Sequence, residues 1–487
     1  MNYYLGVDIG TTSVKAVAFS ATGEVIERQQ THYPMQHPAP DRSELDPDEV
    51  VRAVSGCINK VIAAAQPASL AMVSFSSAMH SFLAVDAAGR PLTSCMIWAD
   101  NRAAKIAEQL VATEQGAAFY RASGVPVHAM TPLCKLVWLR QQEPEIFRGA
   151  SRFVGIKEYV FQRLFGETVV DTAIASATGL LNIRSLQWDE EILNYLSIDA
   201  SRLSRLVSPT YIIHYDAGKT DASLALSLPP GVPVVTGASD GALANLSTGA
   251  TGPHTMSVTI GTSGAARMVI EGAETDEHMR TFCYHVYNNY YIVGGATNNG
   301  AVVLQWLKEE VLQTEEDFTQ LLSLASGVAA GSEELLFIPY ILGERAPVWN
   351  SAARGIYFGL DIGHTKAHFI RAAMEGVVYS VYSIGKVLME KKKPRELHAS
   401  GGFVRSQLWL QILADVFNIK VLVFGDDESS ALGAVVIGME ALGKPRTSLR
   451  KALAVYKPDA SNHAVYMRRF EKFGRIYQLV KNEFNNN

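Results

Sequence analysis

The sequence predicts an α/β protein of two similarly built domains, each a mixed sheet flanked by helices. Three observations point there. The chain has 487 residues, too long for one ordinary core and suited to two domains of roughly 200–250 residues. Its opening, Tyr3 to Gln30, reads as strand, tight turn, strand, turn, strand. Tyr3 to Val7 is apolar and β-prone, Asp8-Ile9-Gly10-Thr11-Thr12 turns, Ser13 to Phe19 resumes, and Ala21-Thr22-Gly23 turns again. Far downstream, Ser257 to Ile270 repeats the plan around Gly261-Thr262-Ser263. One such hairpin opening each half implies two related domains with their turns facing each other across a cleft.

Composition narrows the class. Hydrophobic residues make up 48% and charged residues 19%, a balance that fits a soluble globular chain. A net charge of −5 supplies no electrostatic attraction for nucleic acid or an anionic membrane. Cys57, Cys95, Cys134 and Cys283 are scattered without a CxxC pair, which reads as buried, reduced thiols. No apolar run reaches the length of a membrane span. The N-terminus lacks the charged-then-apolar pattern of a secretory signal. The expectation is a cytoplasmic protein with neither nucleic acid nor membrane as partner; homodimerisation stays open.

The turns carry the first chemistry. A turn at Gly10 exposes consecutive backbone N–H groups, with the Thr11 and Thr12 hydroxyls beside them, a cradle suited to phosphate oxygens. Asp8, at the end of the first strand, is placed to hold a metal-bound water over the same phosphates. Standing alone, the stretch would read first as an ordinary N-terminal hairpin.

Along the chain, Asp46-Pro47-Asp48-Glu49 starts a helix running to about Ala65. Leu70 to Ser76 is a short buried strand ending in Ser77-Ala78-Met79-His80, and Cys95 to Trp98 delivers Ala99-Asp100-Asn101-Arg102 to a loop end. Polar residues where strands stop can converge on a ligand, although a histidine such as His80 is by itself more often a core or surface residue, and Asp100–Arg102 could be a helix cap with its ion-pair partner. Gly155-Ile156-Lys157-Glu158-Tyr159 starts another helix, followed by Val169 to Ser176. Val232 to Thr236 is a buried strand leading through Gly237-Ala238-Ser239-Asp240-Gly241 into a small-residue helix. Asp240 there reads either as an N-cap or as a general base with room around it. Ser247 to Pro253 marks the domain boundary. Tyr291 to Gly295 is a strand before Asn298-Asn299-Gly300, and Phe337 to Pro347 is a non-periodic loop. Leu397 to Ser406 is strand, paired glycines Gly401-Gly402, then helix; the pair permits close approach of a flat ligand. Asp427-Glu428-Ser429-Ser430 opens the last helix before a tail from Lys444.

With these segments in place, the chain resembles the actin-like ATPase superfamily and, within it, the FGGY carbohydrate kinases, from Tyr3 to about Gly443. Met130-Thr131-Pro132-Leu133-Cys134-Lys135-Leu136-Val137-Trp138-Leu139 looks like the first family signature, its residues read as structural. Gly355 to Leu360 with His368 to Glu375 looks like the second. The resemblance implies two actin-like (ribonuclease-H-like) domains, 1–246 on the sugar side and 253–443 on the nucleotide side, with a tail at 444–487 and the active site in the cleft. It implies ATP and Mg2+, with ATP held by Gly10, Thr11, Thr12, Lys15, Gly261, Thr262, Ser263, Gly401, Gly402 and Ser406. Asp8 and Asp240 are the implied metal partners. Asp240 is the implied catalytic base, in the family's Gly-x-x-Asp-Gly/Asn context. Met79, His80, Asp100, Arg102, Lys157 and Asp240 are the implied sugar contacts.

The loop residues look most like those of family members that phosphorylate gluconate, so a sugar acid is the expected substrate, with Arg102 first and Lys157 second as partner of its carboxylate. Xylulose or another neutral polyol is the alternative within the family. Actin-like assembly proteins, chaperone ATPases and a non-catalytic sugar-responsive regulator are the alternatives outside it. The two signatures and Asp240 argue against those.

Overall fold

The apolar run at the start forms strand β1 (Asn2–Ile9) in the interior of a six-stranded sheet. Leu5, Val7 and Ile9 are fully buried, and both neighbours of β1 are strands, so the run is continuously apolar. The structure, a computed structural model, describes residues 2–250, 252, 254–425, 428–444 and 452–485. β2 (Ser13–Phe19) and β3 (Val25–His32) continue the sheet antiparallel, with β3 at the edge and largely exposed. Helix α1 (Pro47–Ala64) starts as its sequence dictates, with the Asp46 side chain accepting the N–H groups of Asp48 and Glu49. β4 (Ser69–Ser77) then returns parallel to β1. With β5 (Ile212–His214) and β6 (Pro233–Ser239) the order is β5-β6-β4-β1-β2-β3, and β6 runs parallel to β4.

Between Val235 and Ala238 the β6 register shifts, and Gly237 makes the shift possible. Its φ is +67°, and a Cβ there would stand 1.7 Å from the Phe75 carbonyl oxygen. Only glycine fits. Helices α2 (Pro132–Gln142), α3 (Ile156–Phe165) and α4 (Asp240–Ser247) belong to the same unit.

The two compact units are not two consecutive stretches. The first runs to Gly249, then takes back Glu271–Ile292 and the helix Ser429–Ala441. That helix lies on the first unit's backbone because its small residues let it. A Cβ on Gly6 would be 2.2 Å from the Ala431 carbonyl oxygen, and one on Gly433 would be 2.1 Å from that of Leu243. The helix begins at Ser429; Asp427, expected to open it, lies outside the described residues.

The second unit comprises Ala250–Ile270, 293–425 and the chain from residue 452. Six strands of a seven-stranded sheet are β7 (Thr255–Ile260), β8 (Gly264–Glu271), β9 (Tyr290–Thr297), β10 (Glu396–Ser400), β11 (Lys420–Val423) and β12 (Ala454–Tyr456), ordered β9-β8-β7-β10-β11-β12. β7 pairs antiparallel with β8 and parallel with β10. Helices α5 (Lys366–Met389), α6 (Gln407–Phe417) and α7 (Ala460–Val480) share its core. The stretch after Lys444, read from the sequence as a tail, carries β12 and α7. Tyr466, Phe470, Phe473 and Tyr477 recur at helical spacing and pack into the core, with the Tyr466 hydroxyl accepting from Arg371 at 2.7 Å. All four cysteines are free and buried. Among the described residues no helix is long and apolar enough to cross a membrane.

Candidate active site

Three parallel strands of the first unit end together. Ile9 of β1 pairs with Ser77 of β4, and Ser77 pairs with Ser239 of β6. The residues leaving the sheet at that edge are therefore Gly10, Ala78 and Asp240, and carboxyl ends of parallel strands are where open α/β sheets bind ligands. One residue back, Asp8 lies beside Ser76, whose hydroxyl donates to Asp8 Oδ1 at 2.7 Å. Burial pushes the Asp8 carboxyl up from its ordinary value, while the Ser76 hydroxyl and the Lys15 charge pull it down. Asp240 is the first residue of α4. Its Oδ1 accepts the N–H of Gly241 at 2.6 Å, and its side chain is half-exposed.

The Gly10 turn is a closed hairpin, with Gly10 N–H donating to the Ser13 carbonyl at 2.9 Å and Tyr33 Oη to the Gly10 carbonyl at 2.6 Å. Thr11 Oγ1 accepts from Trp98 Nε1 at 3.0 Å, tying the turn to the Trp98–Arg102 loop. Thr12 is exposed. Lys15 lies on β2 with its ammonium 3.6 Å from the Glu428 carboxylate.

Of the residues expected to contact the sugar, Met79 is half-buried and packs near Ile174, whereas His80 is buried at φ +66° with its ring edge-on to Tyr284. Asp100 is fully buried and accepts from the Ser43 N–H at 2.8 Å and from Arg102 Nε and Nη2 at 2.8 and 2.7 Å. Arg102 Nη2 also meets Glu44, and the guanidinium stands 5.0 Å over the Trp138 ring. Lys157 is buried, with its ammonium 2.7 Å from Asp171 Oδ2. Burial drives its pKa down against the pull of that carboxylate. Both cations expected to meet a substrate carboxylate thus already face carboxylates of the chain.

Lys135 is the residue that sequence reasoning passed over. It is fully buried, and its ammonium donates to the carbonyls of His80 and Ile97 at 2.7 and 2.8 Å. One side chain therefore fixes the two loops that carry His80 and Asp100. Desolvation pushes it down to about 7. The signal was a lysine between Cys134 and Leu136 on a helix with apolar neighbours, where a buried cation needs a reason. Tyr284 was passed over as well, and nothing near it in sequence advertises that 271–292 returns to the first unit.

The second unit assembles its own cluster. Gly261 N–H donates to the Ser263 carbonyl at 2.9 Å, closing the β7–β8 turn around Thr262. Thr259 pairs with Ser400 across the parallel β7–β10 ladder, their hydroxyls 2.9 Å apart. The next residue, Gly401, has φ +96°, and a Cβ on it would stand 2.5 Å from the Ile260 carbonyl oxygen. Gly401 thus lies at the same sheet edge as Gly261, and Gly402 has open space where a Cβ would go. Ser406 caps α6, its hydroxyl accepting the Trp409 N–H at 3.2 Å.

Among the described residues no group of three or more His, Cys, Asp or Glu is arranged to hold a metal. Magnesium keeps several of its waters and binds through one or two carboxylates plus substrate phosphates. Asp8, desolvated and steadied by Ser76, fits such a partner.

Two α/β units, each with a Gly-Thr hairpin turn at a sheet edge, are the plan of the actin-like ATPase fold. The comparisons agree. Residues 3–247 match the N-terminal domain and 256–442 the C-terminal domain of the FGGY family of carbohydrate kinases. The chain is 40% identical over 454 residues to a gluconokinase of Bacillus subtilis, covering 91% of this chain and 88% of that one. Two solved structures from Lactobacillus acidophilus align along its length, each at 32% identity. A ligand-bound xylulose kinase has a TM-score of 0.95, covering 100% of this chain and 99% of that one; a gluconate kinase has 0.94, covering 98% of each. The chain belongs to the FGGY family of carbohydrate kinases.

Proposed function

We propose that this kinase transfers the terminal phosphoryl group of ATP to the primary hydroxyl of D-gluconate, giving 6-phospho-D-gluconate. The observation that carries the sugar acid is the extent of identity to the Bacillus gluconokinase. The two Lactobacillus structures are equally similar and favour neither substrate.

In this reading Asp240 accepts the proton of the attacking hydroxyl as its oxygen bonds to the γ-phosphorus and the bond from that phosphorus to the bridging oxygen breaks, releasing ADP. Its position at the end of β6, on the sheet edge where Ala78 and Gly10 also leave their strands, supports this role. The Gly10–Thr12 and Gly261–Ser263 turns offer N–H and hydroxyl donors to phosphate oxygens, and Gly401-Gly402 lets the nucleoside approach backbone. Asp8 and Asp240 would hold magnesium, which would neutralise phosphate charge when bound. His80, Asp100 and Met79 line the acceptor side, on loops that Lys135 fixes.

A coupled ADP-release assay over gluconate, xylulose and glycerol tests the reading. Gluconate should give the highest kcat/KM. Preference for a neutral polyol would overturn the sugar-acid assignment and leave the kinase.

A further inference from the structure

Glu344 is 2% exposed, and the groups aimed at it are donors. The Thr297 hydroxyl donates to Oε2 at 2.7 Å, and the N–H groups of Arg345 and Asn298 donate to Oε1 at 2.7 and 3.2 Å. Asn299 Nδ2 adds a longer contact to Oε2 at 3.4 Å. Asn299 also donates to the Gly343 carbonyl at 2.7 Å and accepts the Leu342 N–H at 3.1 Å. The loop 342–345 and the loop 297–299 are therefore one hydrogen-bonded body.

That body continues into the second Gly-Thr turn. Gly300 N–H donates to the Thr262 carbonyl at 3.1 Å and Ala301 N–H to the Gly261 carbonyl at 2.7 Å. Gly300 has no room for a side chain, because a Cβ would meet the Gly261 oxygen at 2.4 Å and the Ser263 oxygen at 2.6 Å. Two contiguous residues thus join Glu344's partners to the turn.

We propose that Glu344 is a positioning residue for the nucleotide-phosphate turn Gly261–Ser263, acting through Thr297, Asn298 and Asn299 and touching no substrate itself. This rests on reading that turn as a phosphate cradle. Preorganised donors stabilise phosphate charge only if they are held in place beforehand, and a buried carboxylate with several donors converging on it supplies that hold.

The charge state matters. Burial pushes Glu344 up to about 7, against the pull of Thr297, of the Arg345 and Asn298 N–H groups and of the Arg345 charge. The other titratable groups facing it are the phenols of Tyr340 and Tyr477. All its hydrogen-bond partners are donors, so the ionised form completes the network and a proton on it displaces one donor. The turn is best held above about pH 7 and loosens below it.

The test is Glu344→Gln, read by calorimetric binding of Mg-ATP without sugar at about pH 6 and about pH 8, and by the KM values for ATP and gluconate. At the higher pH the variant should bind ATP about tenfold more weakly, with the gluconate KM unchanged. Wild-type affinity should rise more steeply with pH than the variant's, the ionisation of ATP itself being common to both. Wild-type ATP affinity in the variant, equal losses for ATP and gluconate, or parallel pH dependences would each overturn the proposal. If Glu344→Gln does not fold, Thr297→Val removes one donor and should move ATP binding the same way by a smaller factor; no change there overturns it too. Absence of gluconate turnover by the wild type would sink the substrate reading and leave the sugar-free binding result standing.

Discussion

The Ser76 hydroxyl donates to the Asp8 carboxylate across the β4–β1 pairing, at the edge where three parallel strands end. That hydrogen bond favours the charged form of this buried acid. Removing it in Ser76→Ala should raise the Asp8 pKa further and move the acid limb of the kcat/KM profile to higher pH. The loss should be about 1–2 kcal/mol in transition-state binding on the acid side. An acid limb identical to wild type would show that Asp8 need not be ionised for turnover.

Asp240→Asn is nearly isosteric, and an amide does not accept a proton as a carboxylate does. Folding and ATP affinity should stay close to wild type while turnover falls by about 2–4 orders of magnitude. Near-native turnover would remove Asp240 from the role of base.

The paired glycines separate backbone strain from ligand contact. Gly401→Ala forces φ +96° on an alanine whose Cβ meets the Ile260 oxygen, so it should cost about 1–3 kcal/mol of stability, seen as a lower Tm. Gly402 has open space and no positive φ. Gly402→Ala should therefore keep the Tm and weaken ATP binding alone, because its methyl enters the space assigned to the nucleoside. Unchanged ATP affinity in Gly402→Ala would move the nucleoside elsewhere.

What the sequence revealed was local. Both hairpins, the Asp46-capped helix and the glycine pair are written in short-range turn and capping chemistry, so their positions could be read directly. The return of 271–292 to the first unit could not, since Tyr284 meets His80 only through tertiary packing. Nor could the second-unit helix α7, whose aromatic face has an amphipathic period but no motif. At the site, residue types at loop ends marked Asp100, Arg102 and Lys157 as polar groups of interest. Their mutual neutralisation depends on which carboxylates lie opposite them, and Glu44 and Asp171 are brought there by the fold.

Lys135→Met keeps the aliphatic stem and removes the donor that joins the His80 and Ile97 carbonyls. The gluconate KM should rise about tenfold with the ATP KM unchanged. A second readout follows from the sign of the shift. The folded-state pKa, about 7, lies below the ordinary lysine value of 10.5, so between those values the unfolded chain binds the extra proton and stability rises with pH. The contribution is complete above the unfolded pKa and is lost as pH falls through the folded one. Wild type should therefore gain Tm over the variant as pH rises from about 7 to about 10. A constant Tm difference across that window would place the Lys135 pKa near its ordinary value.

The partner of the substrate carboxylate is decided by ratios rather than by absolute losses. Arg102 holds Asp100 and Glu44, and Lys157 holds Asp171, so removing either cation leaves buried carboxylates unpaired, at a cost of about 3–5 kcal/mol to stability. Some activity is lost for that reason alone, on every substrate. A cation that also meets the gluconate carboxylate adds a loss confined to gluconate, about 1–3 kcal/mol for a buried charged hydrogen bond. The quantity to measure is the ratio of kcat/KM on gluconate to that on a weak neutral substrate such as xylulose, in wild type, Arg102→Gln and Lys157→Met. Arg102 is the first candidate, because its guanidinium makes its ion pairs through Nε and Nη2, leaving Nη1 as a further donor on the same planar fork. A ratio that collapses in Arg102→Gln and holds in Lys157→Met assigns the carboxylate to Arg102, and the reverse assigns it to Lys157. A ratio preserved in both variants makes the two cations purely structural, and the recognition of the acid then lies with neither.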